Sequence, residues 1–441
     1  MTRWQLCRCL CLGATALVLE PAASWGKDMV VHAAHLIDGI SPHPRDNVSI
    51  LVHDDRIAAV KDGFVDVPGA EVIDFPSGTV LPGLIDAHIH ITVSYPPDQL
   101  HDNAAATALR ATAAARQTLL AGVTSIRDVA AEDVTVVVAL KRAIQKGLVA
   151  GPRMWVSGQA LSPTGGHIDP SNSISPDWRR EGSWKAGVVD SPEEAVRAVR
   201  WMHQQGADLI KIAPSGGVAS VGDNPNLQLM SDDEIRAVVT TAHALGMKVA
   251  AHAHGKTAID TAIRLGVDSI EHGTFADAQS YALMKAHGTY LVGTLVVAHD
   301  IYNIARATPD KLPPGVAQKA IEVTPTMDHN VAAAYRAGVK LAMGSDYFGL
   351  APWGTDTREL QYMVEAGVAP MDAILAGTRG GADLIGDSAD IGSIEAGHFA
   401  DIIAVDGDPL QDIKLLQHVQ FVMKGGVIYK SDGKPAALVI P

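Results

Sequence analysis

The pattern of apolar and polar positions changes character twice along the chain. Short runs rich in Val and Ile at residues 30–36, 47–52, 56–60 and 71–75 are separated by turn pairs such as Asp62-Gly63 and Pro68-Gly69, which predicts β-strands with tight connections. The same texture returns at residues 401–405, 419–423 and 427–429, so the two chain ends are expected to build one small β domain together. Between them, strand-like runs at 80–91, 123–129, 153–157, 208–213, 248–253, 268–272, 289–296 and 340–346 alternate with helical stretches. The helical stretches at 104–121, 192–205, 232–245, 257–265 and 317–337 are in several cases opened by Ser, Asp or Thr in N-cap style. Eight successive βα units most simply close into a (β/α)8 TIM barrel, whose working residues gather at the C-terminal strand ends. The expected α/β architecture is a barrel over residues 82–391 with a small β-sandwich domain from residues 25–81 and 392–441.

Residues 1–24 follow a different pattern. Arg3 and Arg8 flank the start of an apolar stretch at 10–19, followed by the small residues Ala22, Ala23 and Ser24, the layout of a cleavable export signal. The apolar run is too short for a spanning helix, which needs about 20 residues. Export predicts a periplasmic or secreted protein with no membrane contact once the signal is gone. Cys7, Cys9 and Cys11 all lie in that segment, so the mature chain is expected to carry no disulfide, no thiol nucleophile and no Cys-ligated metal. With 441 residues, 47% of them hydrophobic, stability must come from a large core. The 35 Lys and Arg against 49 Asp and Glu leave a formal charge of −14, which argues against nucleic acid held through phosphate contacts.

Under the strand-end rule the histidines and acids form a set. The first barrel strand ends in Asp86-Ala87-His88-Ile89-His90, and residues i and i+2 of a strand point to one side, so His88 and His90 can share a metal. His-x-His alone describes two ordinary polar positions equally well. The fourth strand sets Lys211 among Leu209, Ile210, Ile212 and Ala213. Burial disfavours the ammonium and frees a neutral amine that can react with carbon dioxide, giving a carbamate able to bridge two metals. The plainer alternative is a lysine whose head reaches the rim or pairs with Asp208. Strands five, six and eight end in His252 and His254, in Glu271-His272-Gly273, and in Ser345-Asp346. Such residues at four or five strand ends point to a metal site; zinc suits the ligands, and manganese or cobalt would fit.

The order His88-x-His90, Lys211, His252, His272, Asp346 resembles the ligand order of the amidohydrolase superfamily in its binuclear form with a carboxylated lysine. The resemblance runs from Val80-Leu81-Pro82-Gly83-Leu84-Ile85-Asp86 to Gly392-Ser393-Ile394-Glu395-Ala396-Gly397 and Ala400-Asp401. Thr164-Gly165-Gly166-His167, Ile210-Lys211, Ser215-Gly216-Gly217 and Ala251-His252-Ala253-His254-Gly255 look like the imidazolonepropionase-like branch. That branch includes Xaa-Pro and other dipeptidases, carboxypeptidase-like enzymes and hydrolases of N-acyl amino acids such as ochratoxin. The resemblance implies a homo-oligomeric enzyme that cleaves an amide bond in a small-molecule or short-peptide substrate. It also implies two divalent metal ions, zinc being favoured. His88, His90 and Asp346 would hold the more buried ion and His252 and His272 the more exposed one, with carboxylated Lys211 and the attacking hydroxide bridging both. Asp346 would take the proton and deliver it to the departing amine.

His167 and His254 are the candidates for catalytic contacts near the scissile carbonyl. A tyrosine often stands at the second position in related dipeptidases, so His254 is a departure. Ser215, Gly216 and Gly217 would permit close backbone approach to substrate, and Tyr347 would line the pocket. Arg127-Asp128 reads as a rim ion pair rather than a substrate clamp. Residues 94–103, 168–189 and 299–314 are expected to wall the pocket, with Trp178, Trp184 and Trp353 adding aromatic character. A cyclic-amide or lactone hydrolase shares the ligand set, whereas Lys211 in an apolar run disfavours a mononuclear deaminase. A metal- or solute-binding protein without turnover would not need Asp346 as a proton shuttle.

Overall fold

The computed structural model describes residues 28–93, 102–172, 174–175, 177 and 182–437. The export signal expected at residues 1–24, most of the wall segment at 94–103, and Trp178 lie outside the described residues. The Val- and Ile-rich runs after the signal form β1 (Asp28–Leu36), β2 (Arg45–His53), β3 (Arg56–Asp62) and β4 (Glu71–Pro82). The eight runs of the central region form β5 (Leu84–Ile89), β6 (Val123–Asp128), β7 (Arg153–Val156), β8 (Leu209–Ile212), β9 (Lys248–Ala253), β10 (Ser269–His272), β11 (Tyr290–Val292) and β12 (Leu341–Ala342).

β5, β6 and β7 pair in parallel, and so do β8 to β12 in sequence order. Further backbone bonds join the two sheets. Ala87 N donates to Met343 O at 2.8 Å and Asp346 N to His88 O at 2.7 Å, while Asp208 N donates to Val156 O at 2.7 Å and Leu161 N to Lys211 O at 2.9 Å. Strands of this kind with intervening helices make a TIM-barrel-like α/β fold. Among the described residues the helices of nine residues or more are α1 (Ala104–Leu120), α2 (Val134–Gln145), α3 (Pro192–Gln205), α4 (Asp232–Ala244), α5 (Lys256–Arg264), α6 (Ala278–His287), α7 (Leu295–Ala307), α8 (Val316–Arg336) and α9 (Arg358–Ala366). Their starts follow from local chemistry: Asn103 accepts from Ala105 N and Ala106 N, Ser191 caps a helix opened by Pro192, and Ser231 with Glu234 forms a reciprocal capping box. Among the described residues no helix is long and apolar enough to cross a membrane.

β13 (Ile402–Asp406), β14 (Phe421–Lys424), β15 (Val427–Ser431) and β16 (Lys434–Pro435) join the N-terminal strands in one sheet, ordered β16-β15-β14-β13-β4-β1-β2-β3. The expected sandwich is therefore hydrogen-bonded as a single sheet, and the cause is the length of β4. This strand of 12 residues runs parallel to β1 from Glu71 to Val80 and antiparallel to β13 from Gly78 to Pro82, so it belongs to both ends of the chain. Met29, Val31 and Ile50 from one end bury with Ile402, Ala404, Phe421 and Met423 from the other.

The run at 80–91, expected as one strand, is cut at Pro82-Gly83. Gly83 N donates to Asp401 O, and a Cβ on Gly83 would stand 2.0 Å from Thr124 Oγ1 and 2.4 Å from its Cγ2. The chain passes from terminal sheet to barrel where only glycine fits. Gly83→Ala is expected to destabilise the protein by about 1–3 kcal/mol through overpacking, seen as a lower urea midpoint at unchanged slope. An unchanged midpoint would mean that Thr124 gives way.

Candidate functional site

The ends of β10, β11 and β12 share a backbone oddity. His272 (φ 68°), Thr294 (φ 55°) and Asp346 (φ 54°) are left-handed without being glycine, a conformation that costs on the order of 1–3 kcal/mol and needs surrounding structure to hold it. That support is present. Asp346 N is tied to His88 O, and Asp86 accepts from Ser345 N at 3.1 Å and from Ser345 Oγ at 2.5 Å. After Thr294, the first amides of α7, Leu295 N and Val296 N, donate to the buried carboxyl of Glu359 at 2.9 and 2.8 Å. Burial pushes Glu359 up to about 8, against the pull of those two amides.

These turns assemble two adjoining groups. The ligand atoms of His88, His90 and Asp346 lie within 4.8 Å of one another, as do those of His252, His254 and His272. His88 Nε2 and His90 Nε2 stand 3.3 and 2.8 Å from Asp346 Oδ1. His88 gives its Nδ1–H to Glu271 Oε2 at 2.7 Å and His90 its Nδ1–H to Ala130 O at 3.1 Å, so both neutral rings turn a lone pair toward the carboxylate. Acceptors converging in this way call for a cation among them, and the donor set suits a divalent metal. In the second group Thr294 Oγ1 donates to Gly293 O and accepts from His272 Nδ1 at 2.6 Å, which leaves His272 Nε2 free to bind. His252 gives its Nε2–H to Gly216 O at 3.3 Å, which frees Nδ1. His254, assigned from the sequence to substrate contact, is thus also a third imidazole of this group; its Nδ1 pairs with Thr274 Oγ1 at 2.7 Å.

Burial, aided by neighbouring imidazoles, holds His252 and His272 well below the usual histidine range, and burial lowers His254 to about 3. Asp346 moves the opposite way to its burial, well below the ordinary carboxylate range, a shift that needs positive charge at His88 and His90; with both rings neutral, a bound cation would supply that charge. Lys211 is 2% exposed and lines the same cavity. Burial brings its ammonium down to about 8, with Glu271 and Asp346 opposing.

Two residues beneath the site were not assigned a part in it from the sequence. Arg127, expected in a rim ion pair with Asp128, is instead buried and donates to Ala87 O at 2.5 Å, Ser269 Oγ at 3.0 Å and Glu271 Oε1 at 2.9 Å. Asp128 accepts from Ile91 N at 2.8 Å. Burial alone would raise Glu271, yet Arg127, His88 and Lys211 outweigh it and keep it ionised. Glu271 thereby anchors His88 and is itself anchored by Arg127. The available signal was Glu271 beside a ligand in a four-residue strand buried along its whole length.

The other sequence candidates fall into place differently. His167 lines the cavity and stacks on His252 at 4.1 Å between ring centroids. Ser215 Oγ donates to Gly216 O and accepts from His254 N, so it supports the loop rather than the ligand. The space above Gly217 is filled by His167, whose Nδ1 would meet a Cβ there at 2.0 Å, and that above Gly216 by the Asn224 backbone. Tyr347 is a correction: it is buried beneath a loop, with Ala351 N on its hydroxyl and Trp353 against its ring at 5.2 Å, while its neighbour Phe348 lines the cavity. Ile168 lines it too, whereas Trp184 packs with Trp201 and Arg197. The wall expected from a loop at 299–314 is largely helical. Val297, Ala298 and Ile301 of α7 face Ala320, Val323 and Met327 of α8, giving an apolar side to the cavity.

The amidohydrolase family profile matches residues 79–430. The chain belongs to the amidohydrolase family. It is 33% identical over 436 residues to an ochratoxinase of Aspergillus niger, covering 92% of this chain and 88% of that protein. It is similar to a Xaa-Pro dipeptidase crystallised with methionine in its active site, with a TM-score of 0.88, 37% identity, and coverage of 92% of this chain and 100% of the other. An imidazolonepropionase of Symbiobacterium thermophilum is 25% identical over 407 residues, covering 87% of this chain and 85% of that enzyme. This amidohydrolase is therefore an enzyme, a hydrolase acting on amide bonds. Arg127→Met is expected to strand the Glu271 carboxylate, costing about 3–5 kcal/mol in urea unfolding. Metal affinity should fall about 10- to 100-fold in competition with a chelator as His88 loses its anchor. Unchanged stability and affinity would remove Arg127 from that role.

Proposed function

We propose that the protein is an exported, binuclear-metal amidohydrolase that cleaves the amide bond of dipeptides or N-acyl amino acids. The observation that carries this is the pair of adjoining ligand groups beside buried Lys211, at the base of a cavity walled by Val297, Ile301, Val323, Met327 and Phe348. His88, His90 and Asp346 would hold one ion, His252 and His272 the other, and Lys211, once carboxylated, would reach both. Divalent cations bound there supply acidity to water and polarise a carbonyl. Asp346, which a cation bound between it and His88 and His90 would keep ionised, is suited to accept a proton beside the attacked carbon and return it to the leaving amine. The apolar wall takes an uncharged side chain or acyl group and excludes water from it. The activities of the ochratoxinase and Xaa-Pro dipeptidase relatives lend weight to amides of amino acids. Residues 1–24 carry the charged, apolar and small segments of an export signal, which favours a periplasmic or secreted enzyme, and homo-oligomeric assembly fits the same proposal.

Zinc-loaded protein given a mixed pool of dipeptides and N-acyl amino acids is expected to release free amino acids, identified by mass spectrometry, and Asp346→Asn to release none. No release with two metals bound would turn the assignment to cyclic amides or lactones. No release and no metal would overturn the catalytic proposal. Incubation with 13C-bicarbonate and zinc is expected to give one carbamate carbon in the 13C NMR spectrum, lost in Lys211→Gln. Its absence from active enzyme would mean that Lys211 binds uncarboxylated.

A further inference from the structure

Behind His167 lies a chain of polar groups that the proposed reaction does not use. His167 Nδ1 stands 2.7 Å from Ser220 Oγ, which lies 2.6 and 2.7 Å from the two carboxylate oxygens of Asp223. Asp223, its side chain 1% exposed, also accepts from Gly217 N at 2.8 Å and has Lys319 Nζ at 3.2 Å from Oδ1. The same ammonium, carried on α8, donates to Gly217 O at 2.6 Å and Ser220 O at 2.7 Å, fastening the loop to the helix that walls the cavity.

The direction of these bonds follows from counting protons. A carboxylate paired with an ammonium only accepts, and a serine hydroxyl has a single proton to give. Ser220 spends it on Asp223 and so accepts from His167 Nδ1–H. We propose that Asp223, held by Lys319, fixes His167 through Ser220 in the Nδ1–H tautomer, leaving Nε2 a proton-free acceptor at the cavity. Gly217 is part of the device, because a Cβ there would lie 2.0 Å from Nδ1 and 2.2 Å from Cε1 of the ring. His167 then takes a hydrogen bond from an N–H or O–H of substrate or nucleophile, rather than giving one to a developing oxyanion. Lys319, Asp223 and Ser220 are positioning residues. That His167 touches substrate rests on the amide-hydrolase proposal, whereas the tautomer does not.

The test uses the full chain, zinc-loaded, with 15N-labelled histidine rings at neutral pH. The His167 signals, assigned by their loss in His167→Gln, are expected to show proton-bearing Nδ1 and bare Nε2. Asp223→Asn keeps the shape but lets an amide N–H donate to Ser220, which then donates to His167. It is expected to move the proton to Nε2 and to lower kcat about 10- to 100-fold with KM and metal content little changed. Ser220→Ala should release the tautomer and lower kcat, and Ser220→Thr, which keeps the hydroxyl, should restore both. An Nε2–H tautomer in the native protein, or an Asp223→Asn variant whose tautomer does not move, overturns the proposal. If Asp223→Asn fails to fold, the Ser220 pair decides. If no amide is hydrolysed, the ring spectra still decide the tautomer, so the two failures are distinguishable.

Discussion

Six imidazoles, Lys211 and Asp346 line one cavity, and keeping those rings neutral in so little water constrains what lies around them. A neutral imidazole has one donor and one acceptor, so each ring is useful only if something else consumes its N–H. The structure meets that demand ring by ring: Glu271 for His88, the Ala130 carbonyl for His90, the Gly216 carbonyl for His252 and Thr294 for His272. The one full anion in that series needs its own counter-charge, and Arg127 supplies it from below. The cost of that buried pair is accepted because without it the ring of His88 has no fixed orientation.

How much of this was legible in the sequence depended on the distance over which each contact acts. His88 and His90 were readable because alternation in a strand is local, and the ends of α1, α3 and α4 because caps act within one turn. Arg127 and Glu271 were not, since their partnership spans 144 residues and neither sits in a motif that names the other. Tyr347 missed its expected place in the cavity lining, which Phe348 takes, for a different reason. Asp346 is left-handed, so strand alternation ends there and cannot be extended to the next side chains. Most strands and the five expected helices appeared within a few residues of their expected bounds. That the terminal strands pair in one sheet was not legible, because hydrophobic pattern marks strands but leaves their partners open.

The cavity wall carries a similar lesson. Apolar residues after the seventh strand read as loop lining, yet Val297, Ile301 and Ala305 recur at helical spacing and bury against Val316 and Ala320. A wall built from two packed helices is stiffer than one of loops, so the size of the group it accepts is set by side-chain volume rather than by loop closure.

The shared strand β4 has a consequence for how the chain reaches this state. Its last residues, Gly78 to Pro82, pair with β13, which begins only at Ile402. During synthesis that edge is made early and waits, unpaired, while the whole barrel is produced. An exposed strand edge is a template for wrong pairing. Completion of the terminal sheet is thus the closing step of assembly, and a nascent chain stopped before β13 would present an adhesive edge to its neighbours.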